Sequence, residues 1–373
     1  MKWWIPLLAI MFCLGIESAH GEDALKRLLA FAPWVDTLKV SGDLRLRHES
    51  FLKDPDLDRH RQRFRLRLGS EWGMGNISIG LQLASGTGET TSTNQSFDGL
   101  FSQKAFWIDR VYLRWQAASW MSATFGKMPN PLFTTALGDG VWDSDVNPEG
   151  FAEQMTWAVS ERSTVFFRLG QFILDEDGGD NNDQWLLAQQ IGGTIQRDDR
   201  TAFTLAVGYL DFVNSTAGHF GGAMQEGNTR NAAGVLVYPF RVLHVVVEAA
   251  AEAGSWPLVF SADYIKNMAD PETGKATGFD VGFRLGKAKH PNSGEVTYIY
   301  KHLEDDATVA DLADSDFGDG GTNRKGHILS GAWQVTAWGQ ARATVYFTQV
   351  EDETRPPGQD DIHRIQLDWI IKF

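Results

Sequence analysis

The chain has 373 residues, a single cysteine and a formal net charge of −14. One cysteine excludes a disulfide framework, and an acid excess is the wrong balance for a nucleic-acid partner. Beyond residue 21 no apolar run reaches the roughly 18–20 residues of a membrane helix; Arg241, His244, Glu248 and Glu252 break the best stretch, 235–253.

Residues 1–21 read as a secretory signal peptide. A basic start at Lys2 precedes an apolar run from Trp3 to Ile16 and the small-residue site Ala19-His20-Gly21. Cys13 lies inside that run, so cleavage leaves residues 22–373 without a thiol. Over residues 22–38, Leu25, Leu28, Leu29 and Ala32 fall at helical spacing, which predicts a short amphipathic helix or leader.

From residue 39 the period becomes two. Leu44 and Leu46 oppose Asp43, Arg45, Arg47 and Glu49. Phe64, Leu66, Leu68 and Trp72 oppose Arg61, Arg63, Arg65, Arg67 and Glu71. Val111, Leu113 and Trp115 oppose Arg110, Tyr112 and Arg114, and the pattern recurs at 77–83, 279–285 and 340–347. The last twelve residues put His363, Ile365, Leu367, Trp369, Ile371 and Phe373 on one face. Arg364, Gln366, Asp368 and Lys372 take the other, with Ile370 its one apolar member. Side chains alternate across a strand, so each segment has a greasy face for lipid and a wet face for a water-filled lumen. Tight turns at 73–76, 117–119, 160–162, 197–200, 254–257, 290–294 and 336–339 alternate with long loops at 86–103, 128–150, 174–184, 213–239, 268–276, 304–324 and 351–360.

These observations predict an all-β protein, a transmembrane antiparallel β-barrel of about sixteen strands over residues 39–373. A hairpin hidden in a long loop would make eighteen. Counting 229–238 as a strand gives seventeen, an odd number that breaks the short–long rhythm, so 213–239 is assigned to a loop with the next strand starting near Phe240. A barrel with a signal peptide belongs in the outer membrane of a Gram-negative bacterium. Phe373 is then an assembly signal for the outer-membrane assembly machinery, and lipid and lipopolysaccharide are the surroundings. Trp115, Trp120, Trp333 and Trp338, near strand ends, suit an interfacial girdle.

The first half resembles the bacterial "putative porin" family. The resemblance rests on Gly42-Asp43-Leu44-Arg45-Leu46-Arg47, Arg61-Gln62-Arg63-Phe64-Arg65-Leu66-Arg67, Ser92-Thr93-Asn94-Gln95, Gly126-Lys127-Met128-Pro129-Asn130-Pro131 and Trp142 to Gly150. It covers about residues 40–155 and implies an outer-membrane pore passing small hydrophilic solutes or ions, with a homotrimer as the implied assembly. The Arg-x-Arg opening is also similar to alginate-export barrels. An exporter of an anionic polysaccharide and a non-conducting structural barrel therefore stand as alternatives.

The arginines are the sharpest candidate site. Adjacent strands lie about 4.8 Å apart, so Arg45, Arg47, Arg61, Arg63, Arg65 and Arg67 crowd one wall, with Arg110 and Arg114 further round. Asp43, Glu49 and Glu71 are too few to balance them. The expectation is that loop 128–150 folds inward and sets Asp139, Asp143, Asp145 or Glu149 against the ladder, making a constriction with a transverse field, with loop 86–103 as a second candidate for the opposing groups. The alternative is a structural ion-pair network. Segments 174–184, 304–319 and 351–361 hold five, seven and five acids, which places the chain's acidity in outer loops. Asp175, Asp177 and Asp180, and Asp314, Asp316 and Asp319, resemble calcium ligands but lack a late bidentate Glu, so solvated loop is the better reading. No cofactor is implied. Neither G-x-S-x-G nor H-E-x-x-H occurs, and enzymatic chemistry finds no support.

Overall fold

The computed structural model describes residues 32–373 apart from 55–56, 136, 177, 180–181, 218–226, 270, 272–273 and 353–360. The signal peptide and most of the predicted leader helix lie outside these residues. Within residues 32–38 there is a turn at Pro33-Trp34 and then strand from Thr37, so the helix does not extend to residue 38.

The strands, in chain order, are β1 Thr37–Asp54, β2 Arg59–Met74, β3 Ile77–Ser85, β4 Gln95–Ser96, β5 Phe106–Ala118 and β6 Met121–Lys127. They continue with β7 Glu149–Ser160, β8 Ser163–Asp175, β9 Gln184–Gln196, β10 Ala202–Val213, β11 Phe240–Ala253 and β12 Trp256–Asn267. The last are β13 Thr277–Gly286, β14 Ser293–Leu303, β15 Arg324–Gln334, β16 Gly339–Val350 and β17 Asp361–Lys372. Each wall strand pairs antiparallel with its neighbour in sequence, and β17 pairs with β1. The sheet is therefore a closed sixteen-stranded barrel. β4 is an extra two-residue strip that pairs with β2 at Arg63 and Phe64, above the short β3.

Closure is tight at the chain end. Gly42 and Phe373 exchange two backbone hydrogen bonds of 2.8 and 3.1 Å. The Phe373 ring lies over Gly42, where a Cβ would come within 2.5 Å of the ring. A glycine is what lets this aromatic residue lie flat on the seam.

Burial runs opposite to that of a soluble sheet. Leu113, Phe125, Leu205, Phe260, Leu329 and Leu367 point outward and are exposed, whereas Glu49, Thr348, Arg364 and Gln366 point inward and are buried. Trp115, Trp120, Trp333 and Trp338 are exposed near the short turns, as an interfacial girdle requires. No helix among the described residues is long and apolar enough to cross a membrane.

The interior is not wet throughout. Met128, Val141, Trp142 and Val146 of the β6–β7 loop fold inside, with Leu236 of the β10–β11 loop and Ala307, Val309 and Leu312 of the β14–β15 loop. They pack against Phe172, Leu186, Leu210, Phe240, Val242 and Ile265 on the inner faces of β8 to β12. One side of the barrel is thus filled by a greasy plug of loops. The acidic segment 304–319, expected as a solvated outer loop, is part of it. Burying its apolar residues pulls the whole segment inward.

Leu329 sits mid-strand on the outer face of β15, opposite Tyr298 and Val345. Leu329→Arg is expected to lower barrel stability by about 2–4 kcal/mol, read as a lower urea midpoint of the heat-modifiable band. An unchanged midpoint would reverse the inside–outside assignment.

Candidate constriction site

Register brings the arginines together in facing pairs. Arg45 lies opposite Arg65 and Arg47 opposite Arg63 across β1 and β2, with Glu49 opposite Arg61 and Asp43 opposite Arg67. On the other flank of β1, closure places Asp368 beside Arg47 and Gln366 beside Glu49. Like charges this close persist only when most of them find a counter-charge. Glu49 is buried and is shared by Arg61, Arg364 and Arg63. Arg47 makes a two-pronged contact with Asp368 at 2.7 and 2.9 Å and reaches Asp316 at 3.2 Å. Arg65 takes Asp43 at 2.7 Å, and Arg67 takes Asp145 at 2.5 Å. Arg45 has no carboxylate within ion-pair distance among the described residues; it donates to the Asn94 side chain at 2.6 Å.

The β6–β7 loop does fold inward, but its acids divide. Asp145 alone reaches the ladder, through Arg67. Asp139 pairs instead with Lys301 on β14, which also holds Asp314 at 2.9 Å. The Asp143 carboxylate accepts backbone N–H groups of Asp145 at 2.7 Å and Ser315 at 2.9 Å, and so ties the two inward loops together. Glu149 starts β7 and pairs with Lys127 at an exposed position, far from its expected place. Arg110 donates to Asn147 at 2.7 Å, and Arg114 lies over the Tyr112 ring.

Sequence reasoning did not single out the β14–β15 loop as a source of counter-charge. Asp316 is bound by Arg47 and, at 2.7 Å, by Arg364 of β17. Arg364 also donates to the Ser315 and Asp316 carbonyls at 3.0 and 2.9 Å. Asp314, Asp316 and Asp319 therefore go to Lys301, to the arginines and to Lys53. They do not converge as calcium ligands would, and no group of three or more metal-ligating side chains gathers among the described residues. Asp177 and Asp180 of the other motif lie outside the described residues, and Asp175 ends β8.

Charge follows geometry. Burial works to raise the Asp316 and Asp145 carboxyls, but the adjacent guanidiniums outweigh it and hold both below the usual range. Asp139 is pushed up to about 7 by burial and by Asp314, with Lys301 pulling the other way. Asp143 is raised well above the usual range by burial, Asp314 and Asp145.

Two spaces result. A cavity of about 610 Å³ lies between Lys53, Arg59, Arg61 and Arg63 on one side and Asp316 and Asp319 on the other. A smaller one of about 100 Å³ is lined by Arg45, Arg65, Asp139, Asp143, Asp314 and Tyr346, among others. The second has a basic wall facing an acidic one.

Lys301 is fully buried and, among the described residues, is the one contact shared by Asp139 and Asp314. Lys301→Met is expected to strand both carboxylates, at a cost of about 3–5 kcal/mol for a broken buried pair. Limited proteolysis should then cut residues 128–148 and 304–323 in a barrel that still migrates as folded. Wild-type resistance in the variant would show that the plug, not Lys301, holds the loops.

The family model described as "Putative porin" matches residues 50–231 and 225–346, well beyond the segment whose motifs carry the resemblance. No curated sequence matches. Among solved structures, the high-pH form of OprB from Pseudomonas putida superposes with a TM-score of 0.57 at 11% identity, over 94% of this chain and 96% of that one. OmpF from Salmonella typhi, in complex with daunomycin, gives 0.55 at 11% identity over 90% and 97%. At such identities the likeness is one of fold, and it agrees with the sixteen-stranded wall described above. With its sequence matched over most of its length and its lipid-facing barrel closed, the chain belongs to the putative porin family of bacterial outer-membrane proteins.

Proposed function

We propose that the protein is a passive channel for small hydrophilic solutes and ions, with its constriction at the 100 Å³ throat between Arg45 and Arg65 and the aspartates of the two inward loops. Family and fold point to a channel rather than an enzyme. The observation that carries the finer reading is the pairing of a basic wall with an acidic one across a space with room for only about three waters. Charges fixed on opposite sides of a narrow, wet gap select what passes.

Polyanion export fits the geometry less well. Arg47, Arg61, Arg63, Arg65 and Arg67 already face carboxylates within ion-pair distance, so they are not a free anionic track. The apolar plug is what favours a non-conducting barrel, and conductance separates that reading from ours.

Refolded protein in a planar bilayer is expected to give discrete, ohmic steps in KCl; none from a heat-modifiable barrel would sink the channel. Arg45→Glu should move the cation-to-anion permeability ratio toward cations by roughly fourfold or more. A unit charge about 5 Å from an ion in water is worth on the order of 0.8 kcal/mol. The throat should also respond to pH. Asp139 loses its proton at about 7, so raising the pH from 6 to 8 adds negative charge and should favour cations. Asp139→Asn should reduce that response, Asp143 remaining as a second raised carboxyl in the throat, and a pH shift of the same size in the variant would assign it elsewhere.

A further inference from the structure

We propose that the throat is a site for small zwitterions, solutes carrying an ammonium and a carboxylate a few bonds apart, of the size of the smallest α-amino acids. This rests on the channel reading above and gives it a solute class.

The inference comes from the charges left over once every pair is assigned. Of the groups lining the throat, Arg65 is matched by Asp43, Asp145 by Arg67, and Asp316 by Arg47 and Arg364. Asp139 and Asp314 share the single ammonium of Lys301. Two groups remain. Arg45 has only the neutral Asn94 side chain as partner, and its Nε is buried with nothing to donate to. Among the described residues the Asp143 carboxylate meets only backbone N–H groups and no cation. One guanidinium without a carboxylate and one carboxyl without a cation thus face the same cavity, and an ammonium placed beside Asp143 would favour its ionised form.

A single ion answers only one of these groups. A neutral solute answers neither. A carboxylate directed at Arg45, with an ammonium directed at Asp143 and the half-served Asp139, completes both. Size narrows the class. The cavity of about 100 Å³ is room for roughly three waters at ~30 Å³ each, which suits a solute of only a few heavy atoms. The Tyr346 ring, inward on β16, lines the same space and offers a flat apolar flank to a short side chain. The raised Asp139 carboxyl agrees with an acidic pole short of positive charge.

The test is swelling of proteoliposomes carrying the full-length protein in isosmotic L-alanine or lactamide at pH 7.5, with KCl step conductance recorded on the same preparations. The two solutes match in size, and only alanine carries both charges. Wild type is expected to admit alanine at least roughly threefold faster than lactamide, as an electrostatic preference of this kind predicts. Arg45→Gln and Asp143→Asn should each bring the ratio close to one. Asp143 also joins the two loops, so Arg45→Gln is the variant that decides if Asp143→Asn does not fold. A wild-type ratio of one or less, with KCl steps intact, overturns the zwitterion site and leaves the channel standing. A high ratio unchanged in the folded variants overturns the assignment to this throat. Absence of both KCl steps and swelling overturns the site and the channel together.

Discussion

Everything on the basic side of this barrel depends on how the buried charges around Glu49 are matched. The guanidiniums of Arg45, Arg47, Arg61, Arg63, Arg65 and Arg67 on two adjacent strands repel one another, and only a nearly complete set of carboxylates makes that wall tolerable. Glu49, Asp43 and Asp368 come from the wall itself, and Asp145 and Asp316 from loops that must enter the lumen to supply them. The need for counter-charge thus helps to hold the loops inside, and they narrow the lumen as a result. Losing one partner of such a pair typically costs about 3–5 kcal/mol, because the other is left charged and dry. The bracing network and the proposed constriction are one arrangement seen from two sides.

The opposite side works by a different principle. There the inner faces of β8 to β12 carry Phe172, Leu186, Leu210, Phe240 and Val242, and the same loops present Trp142, Val146, Val309 and Leu312 to them. Each loop is amphipathic in this sense, with apolar residues against one wall and carboxylates toward the other. Dispersion and water release fix the loops in place, and ion pairs fix their orientation. A narrow throat of defined charge needs both, since a loop anchored on one side only would swing.

Much of the wall was legible in the sequence. Alternation over β1, β2, β5 and β17 and the rhythm of short turns and long loops give the sixteen strands, including the start of β11 at Phe240. Strand faces are legible because the period of two admits one solution wherever one side meets lipid. Loop placement is not local in this way. The acids of 304–319 look like any solvated loop, although Ala307, Val309, Ala310, Leu312, Ala313 and Phe317 among them were a signal of burial. The run Val245-Val246-Val247 on β11 was another, since a strand apolar on both faces must be covered on both. Which of Asp139, Asp143, Asp145 and Glu149 meets an arginine depends on the loop's path, which chain order does not encode. Arg364 and Asp368 were on the wet face of the last strand from the start. Bending that strand round to meet β1 would have placed both beside Arg47 and Glu49.

That seam has a consequence for how the molecule comes into being. Arg47 bonds Asp368 across 321 residues of chain, and Glu49 bonds Arg364 across 315. An open, curling sheet that lacks β17 would present Glu49 and Arg47 without half of their partners. The charge hub is therefore satisfied only when β17 zips onto β1. Contacts of such long sequence separation form late and slowly. A chain stalled one strand short would keep an unsatisfied polar seam facing bilayer, where such groups are least tolerated. The same salt bridges that shape the lumen thus act as a completeness check, separating a finished ring from an almost finished one.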